Sequence, residues 1–329
     1  MGVVRQLRQV DADPAGIDTA FRADVRAGLS DARQKAVPAR WLYDTTGSAL
    51  FEDITALPEY YPTRSESELL KRYAAAIAEA AGPGRAVVEL GSGSATKTPL
   101  LLAAIDPAAY IPVDISGDFL RDSAAALAAR FPGLAIYPVE ADFTQRVALP
   151  REIAGLPKLG FFPGSTIGNM VAATAVDLLR DWRAALGEGA LLLIGIDRIK
   201  DARVLEAAYD DPAGVTGAFN LNLLERINRE LDGDIPVENF AHRALWNDGE
   251  ARIEMHLVAA CDMAFRVGGR RYRMAKGETI HSENSHKYGP RDASLLLRAG
   301  GWTPRMTWDD VDPAFALILA EAAEERVAP

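Results

Sequence analysis

Apolar residues along this chain fall into short runs divided by longer stretches with helical period. SESELLKRYAAAIAEA spaces its apolar positions as one helix face, and RAVVEL after it is a short buried strand. The alternation continues through TKTPLLLAAI as a helix, AYIPVDI as a strand and GDFLRDSAAALAARF as a helix. LAIYPVEADF and LGFFPGS follow as strands, residues 174–187 as a helix and ALLLIGID as a strand. Five strands with intervening helices predict an α/β fold with a doubly wound, mostly parallel, Rossmann-like sheet.

Two regions break this rhythm. The first sixty or so residues mix helical and loop signals and end in the aromatic, proline-rich LPEYYPTR. From Asp201, DDPAGVTGAFNLNLLERINRE reads as helical, and RIEMHLVAA and FRVGGRRYRMA alternate as strands. Residues 63–200 and 288–329 are therefore expected to form the sheet domain. Residues 1–62 and 201–287 are expected to form a smaller α+β substrate-binding lobe, placed over the carboxyl ends of the strands, where open α/β sheets bind ligands.

The chain has 329 residues and a net charge of −10, which disfavours nucleic acid and anionic lipid as partners. No apolar run approaches a membrane span, and MGVVRQLRQVDADP carries no signal core, so a cytoplasmic monomer is expected. The single cysteine, Cys261, lies in the apolar stretch LVAACDMAF and reads as a buried structural thiol. His242, His256, His281 and His286 have no recognised zinc spacing, and no required metal is expected.

Candidate chemistry gathers where strands end. Glu89 closes the first strand before Gly91 and Gly93, but the loop is not a phosphate cradle: Thr96 stands where the second Walker A glycine would be, ahead of Lys97. ALLLIGID, ending in Asp197, looks like a Walker B strand and reads as core without a Walker A partner. Asp114 ends the next strand, where a carboxylate can accept both hydroxyls of a ribose. Asp142 and Phe143 end the third, suited to the exocyclic amine and the ring of an adenine. This set fits NAD and S-adenosylmethionine. The missing third glycine of G-x-G-x-x-G, and a negative Glu89 beside the ligand, favour S-adenosylmethionine, with its cationic amino-acid moiety. Lys97 either reaches that moiety's carboxylate or solvates its helix.

Three further stretches, LPEYYPTR, FFPGSTIGNM and AYDDPAGVTGAFN, join WLYDTTGSALFEDITALPEYYPTRSE and the Glu-x-Ser of HSENSHKY. With these motifs in order, residues 40–288 closely resemble the histidine Nα-methyltransferase family of ergothioneine biosynthesis. The resemblance implies a Rossmann-like methyltransferase that uses S-adenosylmethionine to trimethylate the α-amino group of L-histidine, giving hercynine. It implies that Tyr60, Gly164, Asn169 and Tyr209 hold the amine and carboxylate of the substrate, with Tyr60 and Asn169 acting at the reacting nitrogen. Glu283 and Ser285 would grip the imidazole, Met255 would line its pocket and Tyr43 would stand nearby. Gly91, Gly93, Lys97, Asp114, Asp142 and Phe143, next to Glu89, would hold the cofactor. The loop departs from the usual G-x-G-x-G by carrying Ala95 at the third glycine. Competing readings are a relative acting on another amino acid such as a tryptophan derivative, a nicotinamide-dependent oxidoreductase, and a non-catalytic nucleoside-binding module. Taken singly, Tyr60 and Met255 could be packing and Asn169 a helix cap.

Overall fold

A computed structural model describes residues 8–9, 14–93, 95–310 and 315–323, with side chains from residue 19 onward. The chain divides into two compact units. One comprises the strand Arg8–Gln9, residues Pro62–Ile199 and the described residues 287–310 and 315–323; the other comprises residues 14–61 and 200–286.

In the larger unit the apolar runs become a nine-stranded sheet. Its order is Arg8–Gln9, Val139–Glu140, Ala109–Asp114, Ala86–Leu90, Lys158–Phe162, Leu191–Asp197, Phe315–Ala322 and Trp302–Asp309, with Ala135–Ile136 beside Ala109–Asp114. The strands up to Leu191–Asp197 are parallel; the last two are antiparallel. Parallel strands read as unbroken apolar runs because both faces are covered. Val88, Ile111, Phe162 and Ile194 pack on one face, and Val87, Tyr110, Phe161 and Leu193 on the other. Chain order reverses at Ala86–Leu90, whose neighbours are Ala109–Asp114 on one side and Lys158–Phe162 on the other. That reversal places the loops after Leu90 and after Phe162 at the crevice where such sheets take ligands.

Local differences from the sequence pattern have identifiable causes. The helix expected over SESELLKRYAAAIAEA is two, Tyr61–Arg72 and Ala74–Ala81, divided at Tyr73. LAIYPVEADF yields two short strands on either side of Pro138, which cannot donate to the ladder. Arg8–Gln9, expected in the lobe, pairs with Val139–Glu140 and joins the large sheet.

In the smaller unit Phe240–Asn247, Arg252–Ala259 and Thr279–His286 form an antiparallel sheet, extended by the short parallel strand Lys35–Ala36. A separate hairpin pairs Met263–Val267 with Arg270–Met274. The helices Pro14–Ser30, Thr45–Ala56, Ala202–Tyr209 and Val215–Glu230 belong to the same unit. Asp44 caps Thr45–Ala56 by accepting the Gly47 N–H at 2.7 Å and is held in turn by Asn222 at 2.8 Å. Cys261 is exposed, not buried as its apolar neighbours suggested, because it sits in the bend just beyond the end of Arg252–Ala259.

One irregularity in this sheet decides which side chains share a face. Met255 pairs with Glu283 but His256 pairs with His281, so Ser282 is an extra residue on its strand. The Ser282 hydroxyl donates to the Met255 carbonyl at 3.1 Å. Two residues apart in sequence, His281 and Glu283 would share a face of a regular strand; the bulge puts them on opposite faces.

Candidate active site

The turn after Ala86–Leu90 is built from left-handed residues: Gly91 (φ +65°), Gly93 (φ +48°) and Ala95 (φ +53°). A Cβ at Gly91 would meet the Phe143 ring at 3.1 Å, so glycine there permits close approach as well as the dihedral. Ala95 adopts the conformation that the third glycine of the motif would supply. Asp114 ties the turn down: one carboxylate oxygen accepts the Gly93 N–H and the other the Ser116 N–H, both at 2.9 Å. Burial pushes the Asp114 carboxyl upward, against the pull of these backbone donors.

Glu89 lies deeper than its sequence position suggested. It is 1% exposed, and its carboxylate accepts the Thr98 hydroxyl at 2.7 Å and the Tyr110 hydroxyl at 2.6 Å. Burial raises it to about 7, with both hydroxyls opposing the shift. Its interactions thus run to the wall behind the turn. Asp142 accepts from the backbone N–H and the hydroxyl of Thr144, at 2.9 and 2.6 Å. Phe143 stands edge-on to Phe162 at 5.7 Å, and its carbonyl accepts the Trp182 indole N–H at 3.0 Å. Lys97, just ahead of the helix Thr98–Ile105, forms an ion pair with Glu66.

The second loop, after Lys158–Phe162, turns through Gly164 (φ +79°) and Ser165 (φ +58°) into the short helix Thr166–Asn169. Asn169 is half-buried, and the N-cap of the next helix is Val171, so Asn169 is not a helix cap. The Gly164 N–H donates to Glu66 at 2.8 Å. Glu66 was missed in sequence: on an otherwise charged helix it reads as a solvated residue. Asp197, the residue of the Walker B look-alike, is wholly buried and ion-paired to Lys287 at 2.7 Å. Its backbone N–H donates to the Ser165 hydroxyl at 2.9 Å.

Within the smaller unit Met255, Glu283 and Ser285 share the sheet face that packs on the apolar core. The Tyr209 hydroxyl lies 2.7 Å from the Ser285 hydroxyl. Tyr60 stands edge-on to Tyr209 at 5.9 Å, and Tyr43 stands edge-on to Phe51 and Phe219. Met255 is 1% exposed and belongs to the core cluster that contains Tyr60 and Tyr209. His242, on the neighbouring strand, bonds the Tyr209 carbonyl through Nε2 at 2.8 Å and Asn220 through Nδ1 at 2.9 Å. Six of the residues named from sequence are thus in one unit, around Ser285. Gly164 and Asn169 are in the other, beside the glycine turn.

The opposite face of the same sheet carries a cluster that histidine spacing did not reveal. Glu254, His256 and His281 bring three ligand-type atoms within 4.8 Å, and the two imidazoles stack at 4.6 Å. The Glu254 carboxylate is already engaged by Arg252, Asn247 and His256, which hold it down to about 2. Desolvation pushes both histidines below their ordinary value, so they are neutral near pH 7. Among the described residues no helix is long and apolar enough to cross a membrane.

A glycine turn fastened by a half-buried strand-end carboxylate, at the switch point of a parallel sheet, defines a nucleoside-binding α/β protein. The profile of the histidine-specific, S-adenosylmethionine-dependent methyltransferases matches residues 21–322. Over 307 residues the chain is 41% identical to histidine N-alpha-methyltransferase of Mycolicibacterium smegmatis, covering 92% of this chain and 94% of that protein. The protein of the same name from Mycobacterium tuberculosis is 40% identical over 308 residues, covering 92% and 94%. The L-tryptophan methyltransferase of Psilocybe serbica is 26% identical over 333 residues, covering 92% and 93%. The chain belongs to the histidine-specific, S-adenosylmethionine-dependent methyltransferase family.

Proposed function

We propose that this protein methylates the α-amino nitrogen of L-histidine from S-adenosylmethionine, three times in succession, to give hercynine for ergothioneine biosynthesis. The observation that carries the choice of substrate is the placement of Glu283 and Ser285 on one sheet face beside Tyr209. A carboxylate that can only accept, next to a hydroxyl that can donate or accept, matches the N–H and the lone pair of a neutral imidazole. The Tyr209 hydroxyl fixes the Ser285 rotor, and Met255, Tyr60 and Tyr43 supply apolar wall.

The glycine turn, Asp114, Asp142, Phe143 and Lys97 fit the cofactor. Asp114 would accept the ribose hydroxyls, Asp142 and Phe143 would meet the adenine, and Lys97 would meet the methionyl carboxylate. When bound, the cofactor supplies a methyl group already activated on a positively charged sulfur. The remaining task for the chain is to position a neutral amine with its lone pair free. The Asn169 amide oxygen and the Gly164 carbonyl in the larger unit, and the Tyr60 hydroxyl in the smaller, are acceptors for the N–H groups of the primary and secondary amine and orient the lone pair in the first two transfers; the dimethylated amine has no N–H and relies on the grip on the imidazole. One proton leaves the histidine ammonium before the first attack and one leaves nitrogen after each of the first two transfers, all passing to water, while the third transfer gives a quaternary nitrogen and releases none; no strong base is needed because the amine attacks as the free base.

Incubation with L-histidine and S-adenosylmethionine, read by mass spectrometry, should show one, two and then three added methyl groups. No transfer to histidine by protein that binds the cofactor, or faster transfer to tryptophan, would overturn the assignment.

A further inference from the structure

Glu66 is a wholly buried carboxylate on the helix Tyr61–Arg72, and burial of a charge is costly unless partners compensate it. One of its oxygens receives both compensating contacts: the Lys97 ammonium and the Gly164 N–H. The other, Oε1, is buried with no hydrogen-bond partner among the described residues and lies against Gly195. A Cβ at Gly195 would stand 2.1 Å from Oε1, so the missing side chain in the strand Leu191–Asp197 is the notch that admits Glu66.

The two groups on the same carboxylate oxygen belong to different parts of the site. Lys97 follows the glycine turn, and Gly164 opens the turn that leads to Asn169. The lysine also comes close to that second turn, since a Cβ at Gly164 would lie 3.6 Å from Nζ. An unrestrained lysine has many rotamers and a glycine turn has many backbone states; one buried carboxylate removes both freedoms at once. On the reading of Lys97 and Asn169 proposed above, we infer that Glu66 is a positioning residue that sets the ammonium for the cofactor and the turn for the reacting amine. It touches neither ligand. Because Nζ has three N–H donors and Glu66 engages one, the lysine can still meet a second carboxylate.

The test is a double-mutant cycle between Glu66→Gln and Lys97→Met, read by calorimetry with S-adenosylhomocysteine alongside melting temperature. Glu66→Gln keeps an acceptor for the Gly164 N–H while removing the charge. It should weaken binding by about tenfold, within the range of coupling between contacting residues. The double variant should bind no more weakly than Lys97→Met alone, because Glu66 acts through the lysine. Gly195→Ala, which leaves the carboxylate chemically intact but fills its notch, should reproduce the loss. In turnover, Glu66→Ala should raise KM for the cofactor and also lower kcat, through the Asn169 turn. A merely structural Glu66 would lower the melting temperature and give losses that multiply in the double variant, and that result overturns the inference. Wild-type affinity in Glu66→Gln with impaired Lys97→Met overturns the inference alone. Wild-type affinity in Lys97→Met overturns the assignment of Lys97 and the inference with it.

Discussion

Replacing Asp114 by Asn tests the cofactor site through its fastening. The carboxylate accepts two backbone N–H groups, from Gly93 and Ser116, each at 2.9 Å. An amide of the same shape keeps one acceptor and turns a donor toward the other N–H, so one buried donor loses its partner. That costs about 1–3 kcal/mol, and Asp114→Ala, which strands both, costs about 2–6 kcal/mol. Without the fastening the turn must be ordered when the cofactor arrives, so the cost is drawn from binding. At about 1.4 kcal/mol per tenfold, Asp114→Asn should bind S-adenosylhomocysteine roughly 5- to 150-fold more weakly, and Asp114→Ala roughly 25- to 20,000-fold more weakly. Titration calorimetry on protein with a wild-type circular dichroism spectrum measures this directly. A folded Asp114→Asn variant with unchanged affinity would mean that the turn does not depend on Asp114 and that the ribose is held elsewhere.

Asn169→Ala should keep the fold and the affinity for S-adenosylhomocysteine but turn histidine over on the order of a hundredfold more slowly, the cost of misplacing the amine by about 1 Å; wild-type turnover would remove Asn169 from the site. Glu283→Ala should collapse activity on histidine and shift the histidine-to-tryptophan ratio of specificity constants toward tryptophan, because no buried carboxylate is left stranded by a side chain without a matching donor. An unmoved ratio in a competition assay would show that Glu283 does not read the imidazole. Glu89 is raised to about 7 in the folded state against an ordinary 4.5, so its contribution favours folding below pH 4.5 and is lost as pH rises through 7. The stability of Glu89→Gln relative to wild type should therefore improve between about pH 4.5 and 7; thermal melts showing a pH-independent gap would contradict this. His281, whose folded value lies below 6.5, stabilises the neutral form, so stability should fall as pH drops below 6.5, and less steeply in His281→Gln.

The glycine turn and its fastening were legible in the order of residues because a tight turn after a strand restricts which residue types can stand there. Gly91 needs a positive φ and close approach to Phe143, and Asp114 needs a carboxylate at a strand end. Glu66 was not legible: a lone glutamate on a charged helix has the same pattern whether it faces water or a glycine notch in a strand far along the chain. The position of Gly195 inside ALLLIGID reads as one more core residue until the carboxylate opposite it is seen. Cys261 misled because local hydrophobicity says nothing of where a strand stops. The pairing of His256 with His281 depends on an extra residue at Ser282, and alternation by twos would have put His281 beside Glu283.

That extra residue makes the phase of the strand, more than the identity of any one side chain, the carrier of the pocket's chemistry. One residue inserted opposite Ser282, between Met255 and His256, would give that serine a partner and bring His281 round to the Glu283 side of Thr279–His286, toward the tyrosines, whereas removing Ser282 would leave the present pairs in place. A three-base insertion there is then a larger step in ligand preference than most point changes, and one that keeps the reading frame. Among relatives that share this sheet, shifts in substrate are to be sought in gaps within the strand as well as in letters.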